Sequence, residues 1–292
     1  MSGAVRDALA GALRTPVTGL TGLSGGDLND AFAATLADGR RVFVKTSADV
    51  LPGTYRAEAH DLAWLAEPGV LRVPEVVAVL DPEASHAPGL RLLALELIDV
   101  GGLDAEGEAE LGRGLAELHA AGAATFGAAH PIRFGALVIA NDPDEHWPAF
   151  FVQRRLEPMA RAAQDRGALD ARGAHAVARV CARIQELAGP PEPPARLHGD
   201  LWSGNVLSDR AGRPCLIDPA AHGGHREVDL AMLRLFGGPS ERCFDAYAEV
   251  RPLADGHEDR VGLWQLFPLL VHAVLFGGGY GARAGAIAAR LA

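Results

Sequence analysis

Short apolar runs bounded by turn-forming residues fill the first hundred positions of the chain. Runs of this length, rich in aliphatic and β-branched residues, predict β-strands. Asp38-Gly39 between two of the runs predicts a tight hairpin turn. Glu58, Leu62 and Leu65 share one helical face and predict a helix after the third strand. The predicted strands are VTGLTGL (17–23), AFAATLA (31–37), RVFVKTS (41–47), VVAVL (76–80) and RLLALELI (91–98).

Helical periodicity replaces this pattern from about residue 101. The segment 104–122 has Asp104 as a predicted N-cap and an apolar stripe of Leu111, Leu115 and Leu118. Further helices are predicted near 145–164, 169–188, 226–236, 240–249, 257–276 and 280–291.

A β-hairpin is predicted within the helical part of the chain. Its strands are Asn205–Leu207 and Cys215–Ile217, joined by a polar turn. The whole pattern predicts an α+β fold with two lobes. Residues 1–98 are expected to form a small five-stranded β-lobe with one key helix, and residues 99–292 a larger, mainly helical lobe. A chain of 292 residues is long enough for this division.

The charge balance limits the range of partners. The chain has 27 Lys and Arg residues against 37 Asp and Glu residues, a formal net charge of −10, and no block rich in Lys or Arg. This balance argues against nucleic acid or an anionic membrane as the main partner. An anionic ligand can still bind where a few cations and backbone N–H groups converge.

The N-terminal segment and the cysteines predict a cytoplasmic protein. Val5, Leu9 and Leu13 fit one face of a short amphipathic helix better than the apolar core of a signal peptide. The most apolar run, residues 263–276, is too short to span a bilayer. The three cysteines form no CxxC pair, which suits a reducing compartment and offers no zinc site.

Five polar residues in three segments carry the candidate chemistry. Lys45 lies on the third predicted strand and Glu58 on the following helix; Asp200 and Asn205 lie in RLHGDLWSGNVLSD, and Asp218 ends the strand in LIDPA. Phosphoryl transfer explains this order, because it needs a carboxylate near the acceptor hydroxyl, oxygen ligands for Mg²⁺ and a cation on the nucleotide phosphates. We therefore predict ATP and Mg²⁺ as cofactors and Asp200 as the base or orienting group. Asn205 and Asp218 are the predicted metal ligands, and Lys45, paired with Glu58, is the predicted phosphate-binding cation.

Each of these residues alone has a plainer interpretation. Lys45 could be a solvated lysine at a strand edge, and Glu58 an acid on a helix surface. Asp200 and Asp218 could be turn residues, and Asn205 could cap the hairpin. The ordered set favours a kinase, because independent turn residues have no reason to occur in this order.

The stretch LSGGDLNDAF is the candidate nucleotide loop. It lies between two predicted strands, where backbone N–H groups could cover phosphates, and Gly25 and Gly26 are its candidate binding residues. The stretch lacks GxGxxG, and the chain lacks GxxxxGK[ST], so a P-loop site is unsupported. An ordinary hairpin turn remains the alternative.

The motif LHGDLWSGN (197–205) resembles the signature of the fructosamine kinase (ketosamine-3-kinase) family, relatives of aminoglycoside and choline kinases with a protein-kinase-like fold. IDPA followed by GHREVDLAMLRLFGG resembles a second block of that family, and DEHWPAFFVQRRL and LWQLFPLLVHAVLFGGGY resemble its substrate-side helices. The resemblance covers essentially the whole chain. It implies transfer of the ATP γ-phosphoryl group to the 3-hydroxyl of a ketosamine, free or protein-bound, as a deglycation repair activity.

The same resemblance implies further nucleotide and loop residues. Glu96, Leu97 and Ile98 would read adenine through their backbone. His198 would stabilise the loop that carries Asp200. Asp229 would be a buried acid that supports this loop, or else a charge at a helix N-terminus.

Acceptor recognition depends on fewer matched positions. Trp202 would stack on the sugar-amine, or else pack in the core, and His272 would line the acceptor pocket, or else have an ordinary structural role. Family members commonly carry aromatic residues where this chain has Ala221-His222-Gly223, a departure that leaves acceptor preference open.

Three other functions compete with this interpretation. A small-molecule kinase of the aminoglycoside or choline type would share the core residues. A protein Ser/Thr kinase is disfavoured, because no APE-like segment follows Asp218. A non-catalytic nucleotide-binding module is disfavoured, because all five core positions hold competent residues.

Overall fold

The chain forms two compact units that interleave along the sequence. The computed structural model describes residues 2–23, 30–47, 50–82 and 90–292, so the predicted nucleotide-loop residues Gly25 and Gly26 lie outside the described residues. The first unit contains Met1–Gly107, Arg133–Val138 and Val206–Ala220; the second contains Glu108–Ile132, Ile139–Asn205 and Ala221–Ala292. The division into lobes after residue 98 stays a prediction.

A five-stranded antiparallel sheet is the base of the first unit, as the sequence predicted. The strands follow the order β1-β2-β3-β5-β4 across the sheet. Two helices accompany them, α1 (Ser2–Leu13) and α2 (Thr54–Ala66). The strands are β1 (Val17–Leu23), β2 (Asp30–Leu36), β3 (Arg41–Thr46), β4 (Val76–Leu80) and β5 (Leu92–Glu96).

The alternation of side chains along β3 decides which face Lys45 occupies. Val42 and Val44 belong to the apolar cluster that also holds Val5 and Leu9 of α1. Because successive side chains of a strand point to opposite faces, Lys45 lies on the other face of the sheet. That face packs against α2, through a cluster of Tyr55, Leu62, Leu93 and Leu95.

The turn between β2 and β3 confirms the predicted Asp38-Gly39 hairpin. Gly39 has a φ of 87°, a left-handed conformation that glycine adopts without strain. The backbone N–H of Arg40 donates to Asp38 Oδ1 at 3.0 Å. The turn brings β2 and β3 into register, with Ala31 opposite Lys45.

The rest of the chain is mainly helical, with short paired strands. Its helices are α3 (Ala105–Ala120), α4 (Trp147–Phe151), α5 (Glu157–Asp165), α6 (Ala171–Ala182), α7 (Ile184–Leu187), α8 (Glu227–Leu233), α9 (Glu241–Val250), α10 (His257–Phe276) and α11 (Tyr280–Leu291). Its strands are β6 (Ile132–Phe134), β7 (Leu137–Ile139), β8 (Ala195–Leu197), β9 (Val206–Ser208), β10 (Pro214–Leu216) and β11 (His222–Gly224). The core of the second unit surrounds α10, which packs against α5, α8 and α11.

Most predicted helices are present, with two differences. The helix predicted over 145–164 is α4 and α5 joined by a π-helical turn at Val152–Leu156, and the helix predicted over 169–188 is α6 followed by α7. The predicted N-cap is confirmed, because Asp104 Oδ1 accepts the N–H groups of Glu106 and Gly107 at 3.1 and 2.9 Å.

The strands of the predicted hairpin begin one residue from their expected positions, as β9 and β10. The pairs β6–β7 and β8–β11 were not predicted. Within the described part of the chain, no helix has both the length and the apolar character needed to cross a bilayer.

Candidate functional site

Lys45 is buried between two carboxylates of the first unit. Its Nζ lies 2.5 Å from Glu58 Oε1 and 2.8 Å from Asp218 Oδ1. Lys45 comes from β3, Glu58 from the second turn of α2, and Asp218 follows β10. Three segments that are far apart in sequence therefore meet at one ammonium group, as the sequence order predicted for Lys45 and Glu58.

The electrostatics of this cluster favour a second cation. Burial lowers the pKa of Lys45, but Glu58 and Asp218 outweigh it and hold the pKa above its usual value. Burial, with a further contribution from Asp218, raises the pKa of Glu58 to about 7 although Lys45 opposes this shift. Two carboxylates therefore share one permanent positive charge, and a cation beside Asp218 would relieve their repulsion.

Asp218 itself has an unusual backbone. Its φ of 53° is left-handed, which costs a non-glycine residue about 1–2 kcal/mol. Its side chain is 49% exposed, in contrast to the 6% of Lys45. The carboxylate is thus accessible to a ligand while one of its oxygens accepts the hydrogen bond of Lys45.

The segment predicted to read adenine begins at Glu96, the last residue of β5. The backbone N–H of Glu96 donates to Glu75 O at 2.8 Å, and its carboxylate accepts a hydrogen bond from Arg72 at 2.5 Å. The donor for a base would therefore have to come from Leu97 or Ile98. Ile98 is buried.

The second unit holds the residues of the HGD loop, which we define as His198–Asn205. Asn205 Nδ2 donates to the backbone oxygen of Asp200 at 2.8 Å and to its Oδ2 at 3.1 Å. The half-buried Asp200 carboxylate is held by this contact, and the loop ends in a 3₁₀ turn at Ser203–Asn205. Since the amide nitrogen of Asn205 is used by Asp200, its amide oxygen is the atom suited to a metal ion.

A buried carboxylate holds the start of the HGD loop. Asp229 accepts the backbone N–H groups of His198 at 2.7 Å and Gly199 at 3.0 Å. Its Oδ2 also lies 3.2 Å from His119 Nε2, and His119 Nδ1 lies 2.8 Å from the Tyr247 hydroxyl. Burial alone would raise the pKa of Asp229, but the hydrogen bond and charge of His119 keep it below the usual range.

His198 is part of the same arrangement. Its ring is fully buried, and its Nδ1 accepts the backbone N–H of Asp200 at 3.3 Å. Gly199 between them has a φ of 82°, which lets the backbone turn sharply from β8 into the loop. His198 therefore contacts the residue whose carboxylate is the candidate base.

The predicted acceptor residues Trp202 and His272 join one aromatic cluster. The Trp202 ring is 6.4 Å from the Phe236 ring, in an edge-on arrangement, and the Phe236 ring is 4.7 Å from that of His272. Phe276 and Tyr280 also contact His272, at ring distances of 5.5 and 5.1 Å. The Trp202 side chain is partly exposed, so the cluster presents an aromatic surface beside the HGD loop.

Sequence reasoning did not assign Phe236, Phe276 and Tyr280 to this cluster. All three occur in the blocks GHREVDLAMLRLFGG and LWQLFPLLVHAVLFGGGY, and that shared location was the available signal. Burial holds the pKa of His272 below its usual value, and its Nδ1 lies 2.8 Å from Pro268 O. The ring is therefore neutral at pH 7, with Nδ1–H as the donor and Nε2 as an acceptor.

A model of the fructosamine kinase family matches residues 1–292 of this chain. A probable ketoamine kinase of Enterococcus faecium is 35% identical over 260 residues, which cover 89% of this chain and 90% of the relative. The chloroplastic protein-ribulosamine 3-kinase of Arabidopsis thaliana is 32% identical, covering 91% and 80% of the two chains.

Solved structures agree with the sequence comparison. The crystal structure of a candidate fructosamine-3-kinase from Thermobifida fusca superposes with a TM-score of 0.90, at 41% identity over 99% of this chain and 98% of that one. The crystal structure of a choline kinase from Streptococcus pneumoniae has a TM-score of 0.63 at 15% identity, covering 100% of this chain and 98% of that one, which is a likeness of fold alone. The predicted α+β, protein-kinase-like fold is confirmed.

Asp229→Asn tests the support of the HGD loop. The substitution keeps the shape of the side chain but places an NH₂ group against N–H donors, so we expect the free energy of unfolding to fall by about 2–4 kcal/mol. Chemical denaturation measures this loss.

Asp170→Asn is the matched control. Asp170 caps α6 by accepting the N–H of Gly173 at 2.7 Å, but it is exposed, and asparagine caps a helix equally well. Its unfolding free energy should change by less than about 0.5 kcal/mol. Similar small losses in both variants would contradict a special role for the buried carboxylate.

Proposed function

Because this chain belongs to the fructosamine kinase family, we propose that it transfers the γ-phosphoryl group of ATP to the 3-hydroxyl of a ketosamine of the fructosamine or ribulosamine type. The names of its relatives, ketoamine kinase and protein-ribulosamine 3-kinase, support this acceptor class. The product is a 3-phosphate whose breakdown releases the amine from the glycated adduct, so the activity is one of deglycation repair.

The contact between Asp200 and Asn205 is the observation that carries the proposal. Asp200 Oδ2 accepts from Asn205 at 3.1 Å, which fixes the carboxylate while leaving it only half-buried. In this arrangement Asp200 orients the acceptor hydroxyl and takes its proton as the phosphoryl group is transferred. His198 and Asp229 hold the backbone on which Asp200 lies, and so act through it.

The donor set fits a magnesium nucleotide. The Asp218 carboxylate and the Asn205 amide oxygen are the hard oxygen ligands that Mg²⁺ prefers, and the surplus of negative charge around Lys45 favours a cation. When bound, ATP supplies the phosphoryl group and Mg²⁺ neutralises charge on the phosphates. Lys45 would then donate to phosphate oxygens while Glu58 holds its ammonium in place.

The remaining nucleotide contacts are backbone contacts. We assign the adenine to the segment Glu96–Ile98, with the donor from Leu97 or Ile98, since the N–H of Glu96 is used by Glu75. Gly25 and Gly26 would cover the phosphates.

Trp202 and His272 would contact the acceptor, the indole by stacking and the imidazole by accepting a hydroxyl hydrogen at Nε2.

An acceptor panel tests the substrate class. ATP consumption should be seen with fructosamine, ribulosamine or erythrulosamine compounds, and a 3-O-methyl ketosamine should be inert because its acceptor oxygen is blocked. The assay couples ADP release to NADH oxidation and follows amine release afterwards.

The same acceptor panel distinguishes a ketosamine kinase from a small-molecule kinase of the aminoglycoside or choline type. An aminoglycoside and choline serve as competing acceptors, since the core residues would be the same for either. Activity on one of these alcohols, with none on any ketosamine, would contradict the proposed acceptor class but would leave the proposed phosphotransferase activity standing.

Asp200→Asn tests the role of the base. Asparagine preserves the shape but cannot take a proton, so kcat should fall about 100-fold to 10,000-fold, while ATP affinity stays within about threefold. Steady-state kinetics and calorimetric titration with Mg-ATP give the two quantities. Normal turnover would remove Asp200 from this role.

Asp218→Ala is expected to behave differently. It removes a metal ligand and one partner of Lys45, so the affinity for Mg-ATP itself should fall by about tenfold or more. Titrations with ATP at increasing Mg²⁺ measure this effect. Unchanged nucleotide affinity would contradict the metal assignment.

A further inference from the structure

Helix α2, which carries Glu58, has no cap of its own at its N-terminus. The residue at the N-cap position is Gly53, with a φ of 85° and no side chain to accept a hydrogen bond. The first turn of α2 also contains no acidic residue. The first N–H groups of a helix lack partners within the helix, so α2 depends on a group from elsewhere in the chain.

Asp81 supplies that group from the end of β4. Its Oδ1 accepts the N–H of Gly53 at 2.9 Å, and its Oδ2 accepts the N–H of Arg56 at 3.1 Å. These are the N-cap and N3 donors, the same pair that a capping box satisfies from within a helix. The Arg56 guanidinium also donates to the backbone oxygen of Asp81 at 2.6 Å. Asp81 is buried, so water does not replace these contacts.

A second contact connects Asp81 to the strand that carries Lys45. Arg91 Nε lies 3.4 Å from Asp81 Oδ1, and the Arg91 backbone oxygen accepts the hydroxyl of Thr46 at 2.5 Å. Thr46 directly follows Lys45 on β3. The start of α2 and the end of β3 are therefore held by the same pair of charged residues.

We propose that Asp81 is a positioning residue for nucleotide binding, which caps α2 in trans and so keeps Glu58 within reach of Lys45. A carboxylate at a helix N-terminus is stabilised by the helix dipole as well as by the two hydrogen bonds. Glu58 lies two residues after Arg56, so a shift of the first turn of α2 displaces it directly. The inference rests on the proposed function, because it takes Lys45 as the cation that binds the ATP phosphates.

A double-mutant cycle tests whether Asp81 acts through Glu58. Mg-ATP affinity is measured by calorimetry for the unsubstituted protein, Asp81→Asn, Glu58→Gln and the double variant, with no acceptor present. Asp81→Asn should weaken binding about fivefold in the natural background but less than about twofold in the Glu58→Gln background. Equal losses in both backgrounds, or no loss in the first, would overturn the proposal.

Asp104→Ala is the control for a lost helix cap, because alanine, unlike asparagine, leaves the N–H groups at the start of α3 without an acceptor. Asp104 also accepts two backbone N–H groups, at the start of α3, but α3 carries none of the proposed nucleotide-binding residues. Its ATP affinity should stay within about twofold of the unsubstituted protein. A loss as large as that of Asp81→Asn would show a general effect of cap removal and would overturn the proposal.

Two further outcomes separate this inference from the function on which it rests. Failure of the unsubstituted protein to bind Mg-ATP would overturn both, whereas binding that Asp81→Asn leaves unchanged would overturn this inference alone. If Asp81→Asn does not fold, Arg91→Gln is the milder variant, since it loosens Asp81 without removing it. The same dependence on Glu58 is expected there, and its absence would count against the proposal.

Discussion

The buried carboxylate of Asp229 is the interaction on which the HGD loop depends. The loop leaves β8 without regular secondary structure, so its first N–H groups need acceptors inside the protein. Asp229 accepts two of these N–H groups and also contacts His119. A buried carboxylate is destabilising without such partners, so losing any of the three contacts is expected to destabilise the loop. The backbone that leads into Asp200 is therefore held by a residue 29 positions after Asp200 in the chain.

The first unit also buries a charged group, in this case the ammonium group of Lys45. Lys45 is buried, and its ammonium is compensated by Glu58 and Asp218, which come from a helix and from the end of a strand. Neither carboxylate is held by its own segment alone. The left-handed backbone of Asp218 stores strain, and the helix of Glu58 borrows its cap from Asp81. The surroundings of one ammonium group therefore involve both carboxylates that contact it and, through the cap of α2, Asp81, which does not.

Patterns within a segment were predictable from the sequence, and patterns created by tertiary contact were not. The strands of the main sheet and the Asp38-Gly39 turn have strong local signals. In contrast, β11 is His222-Gly223-Gly224, whose low β-propensity gives no signal, and it forms because it pairs with β8. The cap of α2 was missed for a similar reason, since Asp81 lies 28 residues from Gly53 and only folding brings them together. The assignment of Lys45, Glu58, Asp200, Asn205 and Asp218 to a kinase site rests on their residue types and their order along the chain, and it stays a prediction.

Ala221-His222-Gly223, where family members commonly carry aromatic residues, lies in a tightly packed part of the second unit. All three residues are buried, and a Cβ atom added to Gly223 would lie 1.9 Å from Thr125 O, so an aromatic side chain has no space there without a backbone shift. In this chain His222 and Gly223 belong to β11, which pairs with β8. Trp202 is exposed and its ring meets that of Phe236 edge-on, so the acceptor contact proposed for Trp202 belongs to this aromatic cluster.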